Sequence, residues 1–270
     1  MSRWMCVAAA SPVVRLGDVG GNLARIRDAL HVAAARGARL IVLPELAASG
    51  YAFVDTGEAA EAALTRDDAR WDELAEALPA GAVAVVGYAE REGTELFNTA
   101  AVLTRDRRIG DYRKAHLWGA ERLLFSPGAS AGAVFDTPLG RLGVAICYDS
   151  EFPEVPRGLA LAGAGLLALP VNWPLIRRPD GEHPPETIQA MAAARSSRLA
   201  TVIADRRGDE RGVAWTGGTA IIDDDGWIAG RLGDDGVAVA DLSLRETTDK
   251  SLPPFNDLFE DRRPELYGAG

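Results

Sequence analysis

The sequence predicts an α/β protein in which two β-sheets are covered by helices. Two observations carry that prediction. Apolar runs of strand length alternate with segments of helical period, and the C-terminal half is crowded with short strand-like runs. The composition agrees: 47% of the 270 residues are hydrophobic and 25% charged, the balance of a soluble globular chain long enough to bury its own core.

The elements follow in order. Trp4–Ala10 reads as a buried first strand. Asn22 is a suitable N-cap for a helix over Leu23–Arg36, with Leu23, Ile26, Leu30, Ala33 and Ala34 on one face, and Gly37 stops it. Arg39–Leu43 is a short apolar strand ended by Pro44. Asp67–Ala77 reads as a second helix, broken by Leu78-Pro79-Ala80-Gly81. Ala82–Ala89, Leu96–Leu103 and Arg108–Arg113 read as consecutive strands. Leu142–Ile146 is a buried strand followed by a helix near Phe152–Ala162, and Leu166–Leu169 is another strand. A long helix covers Pro185–Leu199. Thr201–Asp205, Val213–Ile222, Trp227–Arg231 and Val237–Ala240 complete the strands. From Ser251 the chain lacks periodicity and reads as an extended tail on a single domain of residues 1–250.

Charge and cysteine usage exclude several classes. The chain has 29 Lys+Arg against 39 Asp+Glu, a net −10, which is the wrong sign for a nucleic-acid surface. Two cysteines, Cys6 and Cys147, are too few for a disulfide scaffold or a cysteine zinc ribbon. His31, His116 and His183 share no ligand spacing, so no metal is expected. The start MSRWMCVAAASPVV has a short apolar stretch better explained as a strand than as a signal peptide. The longest apolar stretch, Leu159 to Val171, is too short for a membrane span. No N-x-S/T sequon occurs, and the cytoplasm is the expected location.

Three residues stand at strand ends. Cys147 closes the apolar strand GVAIC and precedes a helical pattern, where free N–H groups and the helix dipole favour a thiolate; alone it reads equally as a buried structural cysteine. Glu45 follows a buried strand and a proline, so desolvation should raise its pKa toward that of a general base; alone it reads as a loop glutamate. Lys114 ends the strand before Ala115-His116-Leu117, and alone it reads as a surface lysine.

Together they are more specific. The segments LPELAASGY (43–51), YRKAHL (112–117) and GVAICYDSEFPE (143–154) resemble the three signature blocks of the nitrilase, or carbon–nitrogen hydrolase, superfamily, in that family's order of Glu, Lys and Cys. LFNTAAVL (96–103), AERLLFSPG (120–128), WTGGTAIIDDDGWI (215–228) and NDLFEDRRPELYG (256–268) resemble further blocks, so the likeness spans nearly the whole chain. The resemblance implies a four-layer α-β-β-α sandwich. It implies Cys147 as nucleophile, Glu45 as base, Lys114 with the backbone N–H of Tyr148 as oxyanion donors, and Glu121 as a second carboxylate. It implies no cofactor, a small amide or nitrile as substrate, and a homodimer or larger assembly in which the tail, residues 251–270, docks on a neighbouring subunit.

Departures from the family pattern bear on substrate. Many relatives carry arginine where this chain has Glu151, and relatives acting on N-carbamoyl amino acids place basic residues just after the cysteine. Here Asp149, Ser150 and Glu151 stand there, a version resembling amidases for neutral or amine-bearing amides. Asp205 stands where asparagine is common, and Ser196-Ser197 replaces a Glu-Asn pair. Asn172, Trp173 and Trp215 are candidate pocket walls, with core packing as their other reading. His116 is a candidate hydrogen-bonding group near the site, or a structural histidine. The expected activity is an amidase releasing ammonia. Nitrilase, N-carbamoyl hydrolase and a catalytically silent binding protein are the alternatives. Gly163-Ala164-Gly165-Leu166-Leu167-Ala168 lies between a helix and a strand, the reverse of a dinucleotide-binding turn, and Asp223-Asp224-Asp225-Gly226 reads as a hairpin rather than a calcium loop.

Overall fold

Apolar runs become strands here because both of their faces find cover. The computed structural model describes residues 3–267, and residues 1–2 and 268–270, the last of the expected tail, lie outside it. In chain order the elements are β1 (Arg3–Ala10), α1 (Val19–Ala35), β2 (Leu40–Val42), α2 (Thr56–Glu61), α3 (Arg70–Glu76), β3 (Val83–Glu92), β4 (Glu95–Thr104), β5 (Arg108–Arg113), β6 (Ala133–Thr137), β7 (Gly140–Val144), α4 (Glu154–Leu161), β8 (Leu166–Pro170), α5 (Pro185–Ser197), β9 (Ala200–Ala204), β10 (Asp209–Glu210), β11 (Val213–Ala214), β12 (Ala220–Ile222), β13 (Ile228–Arg231), β14 (Val237–Leu244), β15 (Ser251–Leu252) and β16 (Asn256–Asp257).

Two six-stranded sheets result, ordered β14-β1-β2-β3-β4-β5 and β13-β12-β9-β8-β7-β6. Each has three parallel strands at its heart, β1-β2-β3 and β7-β8-β9, flanked by antiparallel ones. Alternation along the strands assigns the faces. Val7, Ala9, Val42 and Val85 pack in one core with Val144, Ala168 and Val202 of the other sheet. Their sequence neighbours Ala8, Ala10, Ile41 and Ala84 turn to the opposite side, against Ile26, Leu30 and Ala33 of α1 and Trp71 and Leu74 of α3. Val155 and Leu159 of α4 and Ala190 and Ala194 of α5 join the core of the second sheet. The layers are therefore α-β-β-α.

Several expectations are corrected. The first helix begins at Val19, and its cap is Asp18, which accepts from the Gly21 N–H. Asn22 is instead buried inside the helix, its side chain spent on the backbone of Arg15 and the Ala48 carbonyl. The second expected helix is confined to Arg70–Glu76, and α2 and β6 were not expected at all. The run Val213–Ile222 is split into β11 and β12, with Gly217 at φ 64° in the break. The last long strand extends to Leu244 and returns to the first sheet beside β1. The tail is not featureless. It forms the β15–β16 hairpin, and Phe259 packs onto the core with the Lys250 ammonium over its ring. Among the described residues no helix is long and apolar enough to cross a membrane.

Candidate active site

The chemistry-bearing residues gather at the carboxyl ends of strands from both sheets. Glu45 lies just past β2, Lys114 past β5, Cys147 past β7 and Asn172 past β8. Stacking the sheets brings these ends together, which no single segment could do.

Glu45 is wholly buried. The turn that carries it is tight, with Leu46 at φ 50°. Gly87 of β3 permits the close approach, since a Cβ there would stand 2.3 Å from the Pro44 carbonyl oxygen. Glu45 Oε1 accepts from Asn98 Nδ2 and from Lys114 Nζ, each at 2.7 Å. Oε2 has no partner. Lys114, also wholly buried, donates in addition to both oxygens of Glu121 at 2.9 Å. Glu121 is fixed in turn by the Tyr51 hydroxyl at 2.5 Å and the Trp118 N–H at 3.2 Å. One ammonium thus sits between two buried carboxylates.

Cys147 is buried and adopts φ 47°, a conformation rare for a residue with a Cβ. It opens a 3-10 turn over Cys147–Glu151, and α4 starts only at Glu154. Asp149 holds that turn. Its Oδ2 accepts from the Ile146 N–H and the Tyr112 hydroxyl, and its Oδ1 contacts the backbone N–H and ring Nδ1 of His116. The Ser150 hydroxyl donates back to the Cys147 carbonyl.

Burial sets the proton positions. Desolvation, aided by Glu121 and opposed by Lys114, pushes Glu45 up to about 7. Burial works against the charge on Lys114, but Glu45 and Glu121 outweigh it and hold the ammonium above the ordinary lysine range. Burial and then the Glu45 charge push the Cys147 thiol well above its usual value, with Lys114 pulling the other way. The expectation of a dipole-stabilised thiolate is thereby corrected. The helix end is too far along the chain, and the environment favours the neutral thiol. A thiol, a carboxylate able to take its proton and a fixed cation are the parts that acyl transfer requires.

Cys147 opens into a cavity of about 190 Å³ lined by Trp118, Tyr148, Glu151, Asn172, Trp173 and Glu186, among others. A larger cleft of about 530 Å³ beside Trp4 and Asp223–Asp225 contains none of these groups. Of the expected pocket residues, Tyr148, Glu151, Asn172 and Trp173 are in place. His116 is not a lining residue; it stacks on Phe152 at 4.0 Å and braces Asp149. Trp215 stands behind the site, edge-on to Tyr51. Asp205 does not line the cavity either. It is buried with its carboxylate on the N–H groups of Trp173, Arg206 and Gly218, and burial raises it to about 7. The sequence reading missed Asn98, Tyr51 and Glu186. Asn98 and Tyr51 sat inside the family-like blocks, whereas Glu186 looks like any acid in a helix's first turn.

The carbon-nitrogen hydrolase family model matches residues 6–250. A nitrilase of Pyrococcus abyssi is 34% identical over 91% of this chain and 92% of its own. An (R)-stereoselective amidase of a Pseudomonas species is 33% identical over 94% and 90%. The crystal structure of an amidase from Nesterenkonia superposes with a TM-score of 0.78 at 28% identity, covering 97% of this chain and 94% of that one. A glutamate-to-glutamine mutant of that amidase has also been solved with the acetamide moiety of fluoroacetamide covalently added at its active-site cysteine. The chain belongs to the carbon–nitrogen hydrolase family, within the nitrilase superfamily.

Proposed function

We propose that this protein is a cysteine amidase that converts a small carboxamide and water to a carboxylate and ammonia. Glu45 takes the Cys147 proton as the sulfur attacks the carbonyl carbon. A neutral resting thiol suits this concerted transfer, because a base at about 7 stands ready to receive the proton. The Lys114 ammonium and the Tyr148 N–H stabilise the oxyanion, and Glu121 fixes that ammonium from its other side. Glu45 then returns the proton to the leaving nitrogen, and ammonia departs from a thioester on Cys147. Water, deprotonated by Glu45, attacks the thioester and the thiol reforms.

The observation that carries an amide over a nitrile is Asn172. Its Nδ2 donates to the Glu45 carbonyl at 2.9 Å, which fixes the amide's orientation. Among the described residues its Oδ1 is then a buried acceptor with no partner, in a residue that lines the cavity. Buried acceptors are almost always satisfied, and a carboxamide N–H can donate here where a nitrile cannot. We further propose a cytoplasmic homodimer or larger assembly, with the tail at the subunit contact.

The test is ammonia release across amides, nitriles and N-carbamoyl compounds. Amide turnover by the unmodified enzyme, abolished in a folded Cys147→Ala variant and retained in Cys6→Ala, is expected. Turnover of nitriles alone, or unchanged turnover in Cys147→Ala, refutes the reading.

A further inference from the structure

Two acids in the cavity have no counter-charge. Glu151 ends the 3-10 turn of the cysteine, and Glu186 lies in the first turn of α5. Gln189 Nε2 ties these elements together, donating to the carbonyls of Ser150 and Glu151 at 3.2 and 2.9 Å. Both residues line the cavity, and neither side chain has an ion-pair or hydrogen-bond partner among the described residues. Glu186 Oε2 is buried without a donor. Burial, and then the charge of Glu186, push the Glu151 carboxyl up, as expected for like charges held close.

A helix dipole accounts for one acid in a first turn, but not for a second facing it. The rest of the cavity reads as the remainder of a ligand site. Trp118, Tyr148, Trp173, Pro174 and Ile176 offer apolar and aromatic wall, and Asn172, 1% exposed, presents its unpartnered Oδ1. A volume of about 190 Å³ equals that of roughly six liquid waters, room for a short chain.

We propose that Glu151 and Glu186 form a cation subsite in the cavity of Cys147, and that the substrate is a short alkyl amide bearing a distal ammonium group. This rests on the amidase reading of Cys147. The ammonium supplies three donors, enough to serve Glu186 Oε2 and Glu151 together, and its charge relieves their repulsion. The alkyl spacer lies on the apolar walls, and the amide N–H reaches Asn172. A distal carboxylate would add a third negative charge and is rejected.

The experiment compares 5-aminopentanamide, hexanamide and 5-carboxypentanamide in the unmodified enzyme, Glu151→Gln and Glu186→Gln. The amino amide is expected to exceed hexanamide in kcat/KM by about tenfold or more, and each variant should shrink that ratio to near one. Hexanamide equal to or better than the amino amide overturns the proposal, as does a ratio unchanged in both variants. Two variants keep the comparison alive if one misfolds. Calorimetric binding of pentylammonium against 1-pentanol reads the subsite without turnover. Selective ammonium binding, weakened in the variants, supports the subsite even if no amide is hydrolysed, in which case only the amidase reading falls. Equal or absent binding of pentylammonium while amides are turned over overturns the subsite alone.

Discussion

Glu45 concentrates the pH behaviour of the site. It can accept the thiol proton only when ionised, and its carboxyl is held at about 7. The ionised fraction therefore falls about tenfold per pH unit below 7. kcat/KM should rise with pH through about 7 and level off above it, because the raised thiol and the raised Lys114 ammonium both titrate well on the alkaline side. A profile flat from pH 5 to 8 would assign the base elsewhere. Lys114→Met removes the cation from between two buried carboxylates. Its proposed oxyanion role predicts a loss of about 10²–10³ in kcat. Without that cation Glu45 should also become more reluctant to ionise, so the acid limb of the profile should move to higher pH. A variant changed only in KM would make Lys114 a binding residue.

The 3-10 turn after β7 shows how an element holds the strained backbone of the proposed nucleophile. Cys147 keeps φ 47° because Asp149 ties the turn to Ile146, Tyr112 and His116. Asp149→Ala would leave those buried donors without an acceptor, at a cost on the order of 3 kcal/mol. Thermal unfolding should register a fall of several degrees, and kcat should drop with it; an unchanged melting temperature with full activity would remove Asp149 from this role. The turn also marks what was legible in the sequence. Central strands such as β3 and β8 lay close to their apolar runs, because burial on both faces leaves an unbroken run. Edge strand β6 and the polar helix α2 have no such run and were missed. Asn22 carried a cap residue's signature but is spent on tertiary contacts. Glu45, Lys114 and Cys147 were legible because strand ends and family-like blocks coincided. Glu186 was not, since its meaning depends on Glu151, 35 positions earlier, and on a cavity that exists only once α5 is docked.

At the scale of the whole molecule the surface carries an unresolved debt to water. Within the chain the tail covers some of its own apolar surface through Phe259, yet Phe255 remains 93% exposed and Leu266 65%, with Tyr267 beside it. Large apolar side chains grouped on one exposed segment are characteristic of a protein contact rather than of a solvated end. A net charge of −10 opposes random association, so a contact that forms must be a specific one. We therefore expect a homodimer or larger assembly in which the tail contributes to the interface. The direct experiment is light scattering on the full chain, expected to give at least twice 28.6 kDa at micromolar concentration. Removing everything after Lys250 should shift the mass toward one chain, but it also uncovers the surface beneath Phe259. The cleaner variant is Phe255→Glu with Leu266→Glu. Both side chains are exposed in the single chain, so the fold should keep its melting temperature while the expected assembly dissociates. A monomeric full chain refutes the proposal outright, and an oligomer indifferent to both tail variants places the contact on another face.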